Sequence, residues 1–188
     1  MKKYGAILID PPWAFRTYSK QHMTPHRCAE DHYPVLDARS IAQFDILPAK
    51  DCALFMWVVD SHLDQALTLM NAWGFAFKTI AFVWVKTTKD GTRPRIGMGY
   101  WTRKSAEICL LATRGKPRRR SKAVRQVILE SRREHSRKPD IYDRIEALVE
   151  GPYCEVFARQ RWPGWDAIGD EVEKFNAFNK SPSHAVCP

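Results

Sequence analysis

The stretch Tyr4-Gly5-Ala6-Ile7-Leu8-Ile9-Asp10-Pro11-Pro12-Trp13 decides the fold. Its apolar run has the length of a buried strand. The run stops at Asp10-Pro11-Pro12-Trp13, because neither proline can donate a backbone hydrogen and each fixes its own φ. A carboxylate, two stiff carbonyls and a large aromatic are thereby set at a strand end. In open α/β sheets, ligands bind outside the carboxyl ends of the strands. The group suits methylation of an exocyclic amine on a base. Such an amine is a poor nucleophile, because its lone pair is delocalised into the ring. The Asp10 carboxylate and the Pro11 carbonyl could each accept one N–H and localise that lone pair. Trp13 would stack on the base, and the prolines would hold both acceptors still. Taken alone, the same residues also read as a strand, a proline-rich turn and a core tryptophan.

Outward from this stretch, residues 14–34 form a polar, irregular segment that reads as a loop over the strand end, where loops carry function. His22 and His26 have helical metal-ligand spacing with Cys28 and His32 near, but no second carboxylate or CxxC supports a metal site. Residues 33–44 read as a short helix capped by Asp37. Residues 52–59 are a near-continuous apolar run, as in a strand buried on both faces. A helix follows, capped by Asp60 or Ser61, with Leu63, Ala66, Leu67, Met70 and Trp73 at helical spacing and Gly74 as its stop. Residues 79–85 are the next strand, 87–104 carry turn chemistry, and 106–113 and 124–129 are further strands. Pro139 opens a last helix with Asp140 in its first turn, ended by Gly151-Pro152. Residues 153–158 are the final strand. Strands alternating with helices predict a doubly wound α/β domain, with a mostly parallel sheet and helices on both faces. Residues 1–171 fill one domain, and 172–188 form a fraying tail.

The chain has 188 residues and a formal net charge of +9. Residues 114–138 hold eleven Lys or Arg against Glu130 and Glu134, and the remainder is balanced. A local basic patch on a neutral body is the footprint of a polyanion partner, although charge runs are also simply solvated loops. The five cysteines are scattered and never paired as CxxC, which suggests a reducing cytosol. No apolar run has the length of a membrane span, and Asp10 interrupts the first apolar stretch too early for a signal peptide. The expected location is the cytoplasm.

The order of the pieces resembles the MT-A family of N6-adenine methyltransferases, which includes the catalytic subunit of the eukaryotic mRNA adenosine methyltransferase and bacterial and phage relatives. The likeness rests on Asp10-Pro11-Pro12-Trp13, Leu54-Phe55-Met56-Trp57-Val58, Trp84-Val85-Lys86-Thr87, and Gly99-Tyr100-Trp101 with Glu107-Ile108-Cys109-Leu110. It continues through Ser136-Arg137-Lys138-Pro139-Asp140 with Tyr142, Glu155-Val156-Phe157-Ala158-Arg159, and Pro163-Gly164-Trp165 with Gly169. These blocks in order cover residues 4–172, nearly the whole chain. The resemblance implies a Rossmann-like fold with permuted motif order, S-adenosylmethionine as methyl donor and adenine N6 as acceptor. The permutation accounts for the lack of an early GxGxxG loop, which disfavours an ordinary dinucleotide enzyme.

The resemblance also implies residue roles. Asp10, Pro11, Pro12 and Trp13 would form the catalytic group. Asp10, Lys138, Arg159, Arg161, Asp170 and Glu171 would bind the cofactor. In that set Lys138 and the following helix N-terminus take the methionine carboxylate. An acid, Asp170 or Glu171, stands where the family commonly has an amide and takes ribose hydroxyls, which of the two being open. Tyr33, Trp84 and Lys86 would face the substrate, although Tyr33 and Trp84 also read as core aromatics. Arg118, Arg119, Arg120 and Lys122 would contact phosphates. The target base must be single-stranded or flipped out. DNA is preferred to RNA as the substrate, because the chain is short and lacks the accessory regions expected of eukaryotic mRNA enzymes. A homodimer or partner subunit, and a non-catalytic nucleic-acid-binding role, are the remaining alternatives.

Overall fold

The computed structural model describes residues 2–13, 38–97, 99, 101–133 and 137–173. Among these residues, seven strands form one sheet: β1 (Tyr4–Ile9), β2 (Pro48–Val58), β3 (Ala76–Thr87), β4 (Ala106–Arg114), β5 (Val127–Ser131), β6 (Tyr153–Val156) and β7 (Trp165–Ile168). Three α-helices accompany it: α1 (Ala38–Ala42), α2 (Leu63–Ala72) and α3 (Tyr142–Leu148). The strand order is β5-β3-β4-β2-β1-β6-β7. β4 runs antiparallel to β2 and β3, and every other pairing is parallel. Six strands therefore share one direction and β4 opposes them.

The sheet is mixed and its helices are few, which departs from the doubly wound pattern expected, whereas one direction for six of the strands and helices on both faces agree with the mostly parallel sheet. Among the described residues no helix lies between β3 and β4, β4 and β5, or β6 and β7. β4 returns beside the strand the chain has just left, and such a return must be antiparallel. The segment between β3 and β4 carries Gly91, Pro94, Gly97 and Gly99, and these punctuate turns rather than a crossover helix.

β1 sits inside the sheet and buries all six of its side chains, as its uninterrupted apolar run demands. Its alternate residues feed two cores. Ile7 and Ile9, with Leu54, Met56 and Val58 of β2, pack against Ile41 of α1 and Ala66, Leu69 and Met70 of α2. Ala6 and Leu8, with Phe55, Trp57, Phe82 and Trp84, pack against Ile141, Tyr142, Ile145 and Val149 on the α3 side. Helices thus cover both faces, two on one and one on the other.

Several boundaries differ from those expected. α1 covers only Ala38–Ala42 of the helix expected over 33–44, whose first residues lie outside those described. β2 starts at Pro48, β5 spans Val127–Ser131 rather than 124–129, and β6 ends at Val156, before Phe157 at φ 59°. β7 was not expected. α2 opens through a 3-10 turn, Asp60–His62, without a side-chain cap. Its other end closes as foreseen. Gly74 takes φ 78°, its N–H donates to the Asn71 carbonyl, and the Phe75 N–H donates to the Met70 carbonyl. This is the paired hydrogen bonding of a glycine-stopped helix.

Candidate active site

Parallel strands bring their carboxyl ends to one edge of the sheet. Asp10 follows β1 there, beside the end of β2 on one side and of β6 on the other. Lys138-Pro139-Asp140 lead into α3, and Arg159 and Gln160 follow β6. β4 starts at this edge because it runs the other way, so Glu107 enters from the first residues of that strand. A concavity open to solvent lies among these ends. Asp10, Lys138, Arg159, Glu155, Asp140 and Arg137 supply its charged wall, and Leu8, Trp57 and Phe157 part of its apolar wall.

Its electrostatics centre on Lys138. The ammonium lies 2.6 Å from Glu107 Oε2 and 3.7 Å from Asp10 Oδ1, and 5.9 Å from the centre of the Trp57 ring. Burial works against this charge, but Asp10 and Glu107 outweigh it and raise the lysine above its ordinary pKa. Lys86 pairs with the other oxygen of Glu107 and stands 4.9 Å over the Trp84 ring. Burial alone would raise Glu107, yet Lys138 and Lys86 hold it down at about 2. Arg159 Nη2 is 4.0 Å from Asp10 Oδ2. Both cations around Asp10 therefore stand beyond normal hydrogen-bond length. Among the described residues no donor hydrogen-bonds this carboxylate, which leaves its lone pairs to a donor brought into the cavity.

Asp10 is held by its prolines. The Trp13 N–H donates to the Pro11 carbonyl at 2.9 Å, closing a three-residue turn around Pro12. The Pro11 oxygen keeps its second lone pair. Behind the cavity, the Tyr142 hydroxyl donates to Glu155 Oε2 at 2.8 Å. Gln160 Nε2 donates to the Tyr142 oxygen at 2.9 Å and to Asp140 Oδ1 at 3.1 Å. Arg133 closes the chain on Asp140 Oδ2 at 2.6 Å. Burial, with Asp10 and Asp140 nearby, pushes the Glu155 carboxyl up to about 7 despite the tyrosine bond and Arg159. Among the described residues the cysteines offer no nucleophile here. Burial pushes Cys52 and Cys154 up to about 12 and Cys109 well above its ordinary value.

The sequence-predicted residues divide. Asp10, Lys138 and Arg159 converge on the cavity, and Lys86 joins them through Glu107. Trp13 is 5% exposed and packs in the α1–α2 core, with its ring 5.6 Å from His62, instead of standing open for stacking. Trp84 is fully buried, and its indole N–H donates to the Glu130 carbonyl at 2.9 Å, so it is the core aromatic of the two readings. Arg161 is exposed and pairs with Glu173 at 2.6 Å. Asp170 and Glu171 follow β7 at the same edge of the sheet but do not line the cavity. Arg118, Arg119, Arg120 and Lys122 lie on the β4–β5 connection, where the Arg120 N–H donates to the Leu148 carbonyl at the far end of α3. Tyr33, His22, His26, Cys28 and His32 fall outside the described residues.

Sequence reading missed the roles of Glu107 and Glu155. The signal was available, because each is an acid inside an apolar strand, and such acids are buried only when paired or protonated.

Comparison with known proteins agrees with this geometry. The MT-A70 family profile matches residues 4–171. The Type II methyltransferase M.MunI of Mycoplasma sp is 32% identical over 91% of this chain and 78% of its own length. The N(6)-adenosine-methyltransferase MT-A70-like protein of Arabidopsis thaliana is 26% identical over 94% of the chain, which spans only 25% of that relative. The N(6)-adenine-specific methyltransferase METTL4 of Homo sapiens is 28% identical over 93% of the chain and 38% of its own length. The chain belongs to the MT-A70 family of N6-adenine methyltransferases.

Proposed function

We propose that this protein methylates N6 of adenine in DNA with S-adenosylmethionine, on a base that is single-stranded or flipped out of the duplex. The observation that carries the reading is Asp10. It follows β1 at the centre of the carboxyl edge, its backbone constrained by Pro11, and its carboxylate lies on the cavity wall, ion-paired to Lys138 and Arg159 at 3.7 and 4.0 Å and accepting no hydrogen bond among the described residues. The mixed sheet is then a Rossmann-like methyltransferase sheet in permuted order, catalytic strand first. DNA is favoured because M.MunI, a type II methyltransferase, is the relative that the chain spans most fully among those compared.

The wall fits the donor by charge. S-adenosylmethionine carries a carboxylate, an ammonium, a sulfonium and an adenine. Lys138 and Arg159 suit the carboxylate, Asp10 the cationic groups, and Leu8, Trp57 and Phe157 the apolar surface. When bound, it supplies an electrophilic methyl group on sulfur. Asp10 and the Pro11 carbonyl accept the two N–H bonds of the target amine and bring its lone pair out of conjugation. They cost little reorganisation, because the proline turn has already placed them. Glu107 keeps Lys138 charged and in position. We assign ribose contacts to Asp170 and Glu171.

The test is methyl transfer to single-stranded DNA, duplex DNA and RNA in parallel, followed by nucleoside mass spectrometry. N6-methyldeoxyadenosine is the expected product, and N6-methyladenosine alone would move the substrate to RNA. Asp10→Ala is expected to retain nucleic-acid binding and lose transfer by at least about a hundredfold, the range for removing one electrostatic partner of the reacting group. Transfer at the wild-type rate would overturn the mechanism.

A further inference from the structure

A second concavity opens where β3 and β5 end side by side. Thr87 and Ser131, the last residues of these strands, are paired in register. The chain then folds back. Thr87 bridges Pro94, and the Arg95 N–H donates to the Lys86 carbonyl at 2.7 Å. Lys89, Arg95 and Arg132 line the space, together with the hydroxyl residues Thr87, Thr88 and Ser131. Among the described residues no acid lines it. Asp90, the acid of the intervening turn, is turned onto Thr88 and Thr92, accepting from the Thr92 hydroxyl at 2.9 Å and its N–H at 3.2 Å.

The cations here differ from those of the first cavity. Arg137, Lys138 and Arg159, the cations that line it, each have a carboxylate oxygen within 4.0 Å. Lys89, Arg95 and Arg132 enter no ion pair among the described residues. The contrast is sharpest between neighbours. Arg133 turns toward Glu130 and Asp140, while Arg132 turns to the second concavity. Three such cations with hydroxyls around one hollow are a recognition surface for a phosphate.

We infer that this hollow seats a backbone phosphate of the nucleic-acid substrate, some nucleotides away from the target base. The inference rests on the proposed nucleic-acid methyltransferase reading. The separation follows from the sheet. β3 is three strands from β1 and β5 is four. At about 4.8 Å per strand the hollow is displaced sideways from Asp10 by roughly 14–19 Å, a lower bound on the separation because Thr87 also lies beyond Ile80, the β3 residue level with Ile9. That exceeds the reach of the target nucleotide's own phosphate. The seat therefore fixes the strand's path, and carries no base recognition.

The experiment compares wild type with the triple variant Lys89→Gln, Arg95→Gln, Arg132→Gln, and with the charge-retaining Arg95→Lys, Arg132→Lys. Binding of an oligonucleotide of about 15 nucleotides is followed by anisotropy at several salt concentrations, and methyl transfer is followed on that strand and on a trinucleotide. The triple variant is expected to bind the long strand about tenfold more weakly, with the log–log salt slope reduced by about one for each phosphate no longer neutralised. Its KM for the trinucleotide and its kcat should be unchanged, and the charge-retaining variant should keep the slope. An unchanged slope overturns the seat while leaving the methyltransferase reading intact. An equal KM loss on the trinucleotide also overturns it, because the cations would then serve the reaction centre. If wild type binds the strand with the expected slope but methylates no acceptor, the functional reading fails and the seat stands.

Discussion

Glu107 and Glu155 are two buried acids on separate strands with opposite proton affinities. Glu107 is the shared counter-charge of Lys138 and Lys86, so Glu107→Gln leaves two ammonium groups in one low-dielectric corner. Removing one partner of a buried pair costs roughly 3–5 kcal/mol, and the expected loss of stability in urea is at the lower end because the site is partly open. The contribution has a sign in pH. Glu107 is held at about 2, so its stabilisation is present above its ordinary value and is lost as pH falls toward about 2. Glu155 runs the other way. Its carboxyl is raised to about 7, so the folded chain binds that proton more tightly than the unfolded chain. The stability it contributes is complete below the ordinary carboxylate value and is lost as pH rises through about 7. Glu155→Gln should therefore gain stability relative to wild type between about pH 5 and 8, read from unfolding midpoints across that range. Parallel pH profiles would show that Glu155 is already ionised when folded.

β1 can occupy the middle of the sheet because Gly5 lets another backbone come close. A Cβ at Gly5 would stand 2.7 Å from the Gly151 oxygen and 2.8 Å from the Glu150 oxygen. Both belong to the segment joining α3 to β6, and the Gly5 N–H donates to the Pro152 carbonyl there at 2.9 Å. Backbone on both sides cannot yield as a side-chain tip would. Gly5→Ala is expected to cost about 1–3 kcal/mol, measured as a lower urea midpoint with unchanged slope; an unchanged midpoint would mean that the 150–152 segment gives way freely. At this scale the sequence was legible where apolar runs are long and punctuated. β1, β2, β4 and the Gly74 stop of α2 follow from burial and turn chemistry alone. The reversal of β4 was not legible, because a buried strand has the same pattern in either direction. β7 escaped notice since Trp165–Ile168 is four residues long, with only Trp165 buried. Of the site, Asp10, Lys138 and Arg159 could be named from motif and strand ends, whereas Gln160 and Tyr142 act through hydrogen bonds that no spacing reveals.

Among the described residues, positive charge gathers in three places: at the cavity, on the β4–β5 connection and at the Lys89, Arg95 and Arg132 hollow. Residues 114–138 hold the excess of basic side chains, but the chain path divides them. Lys138 and Arg137 stand at the leading end of α3 beside the cavity, while Arg120 meets Leu148 at its trailing end. With α3 between them, Arg118, Arg119 and Arg120 are set apart from the reaction centre and suit the flanking backbone of a long or double-stranded substrate. Neutralising Arg118, Arg119 and Lys122 together, and sparing Arg120 because its guanidinium reaches the Glu146 carbonyl, should weaken duplex binding equally across sequences. The log–log salt slope should fall by about one for each phosphate released, with kcat on a short single strand unchanged. Sites this far apart with no shared partner add within about 0.5 kcal/mol. Combining these substitutions with those at Lys89, Arg95 and Arg132 should therefore sum both the affinity losses and the slope changes. A combined slope no smaller than that of either parent variant would mean that the two surfaces bind the strand alternately, so that only one is engaged at a time.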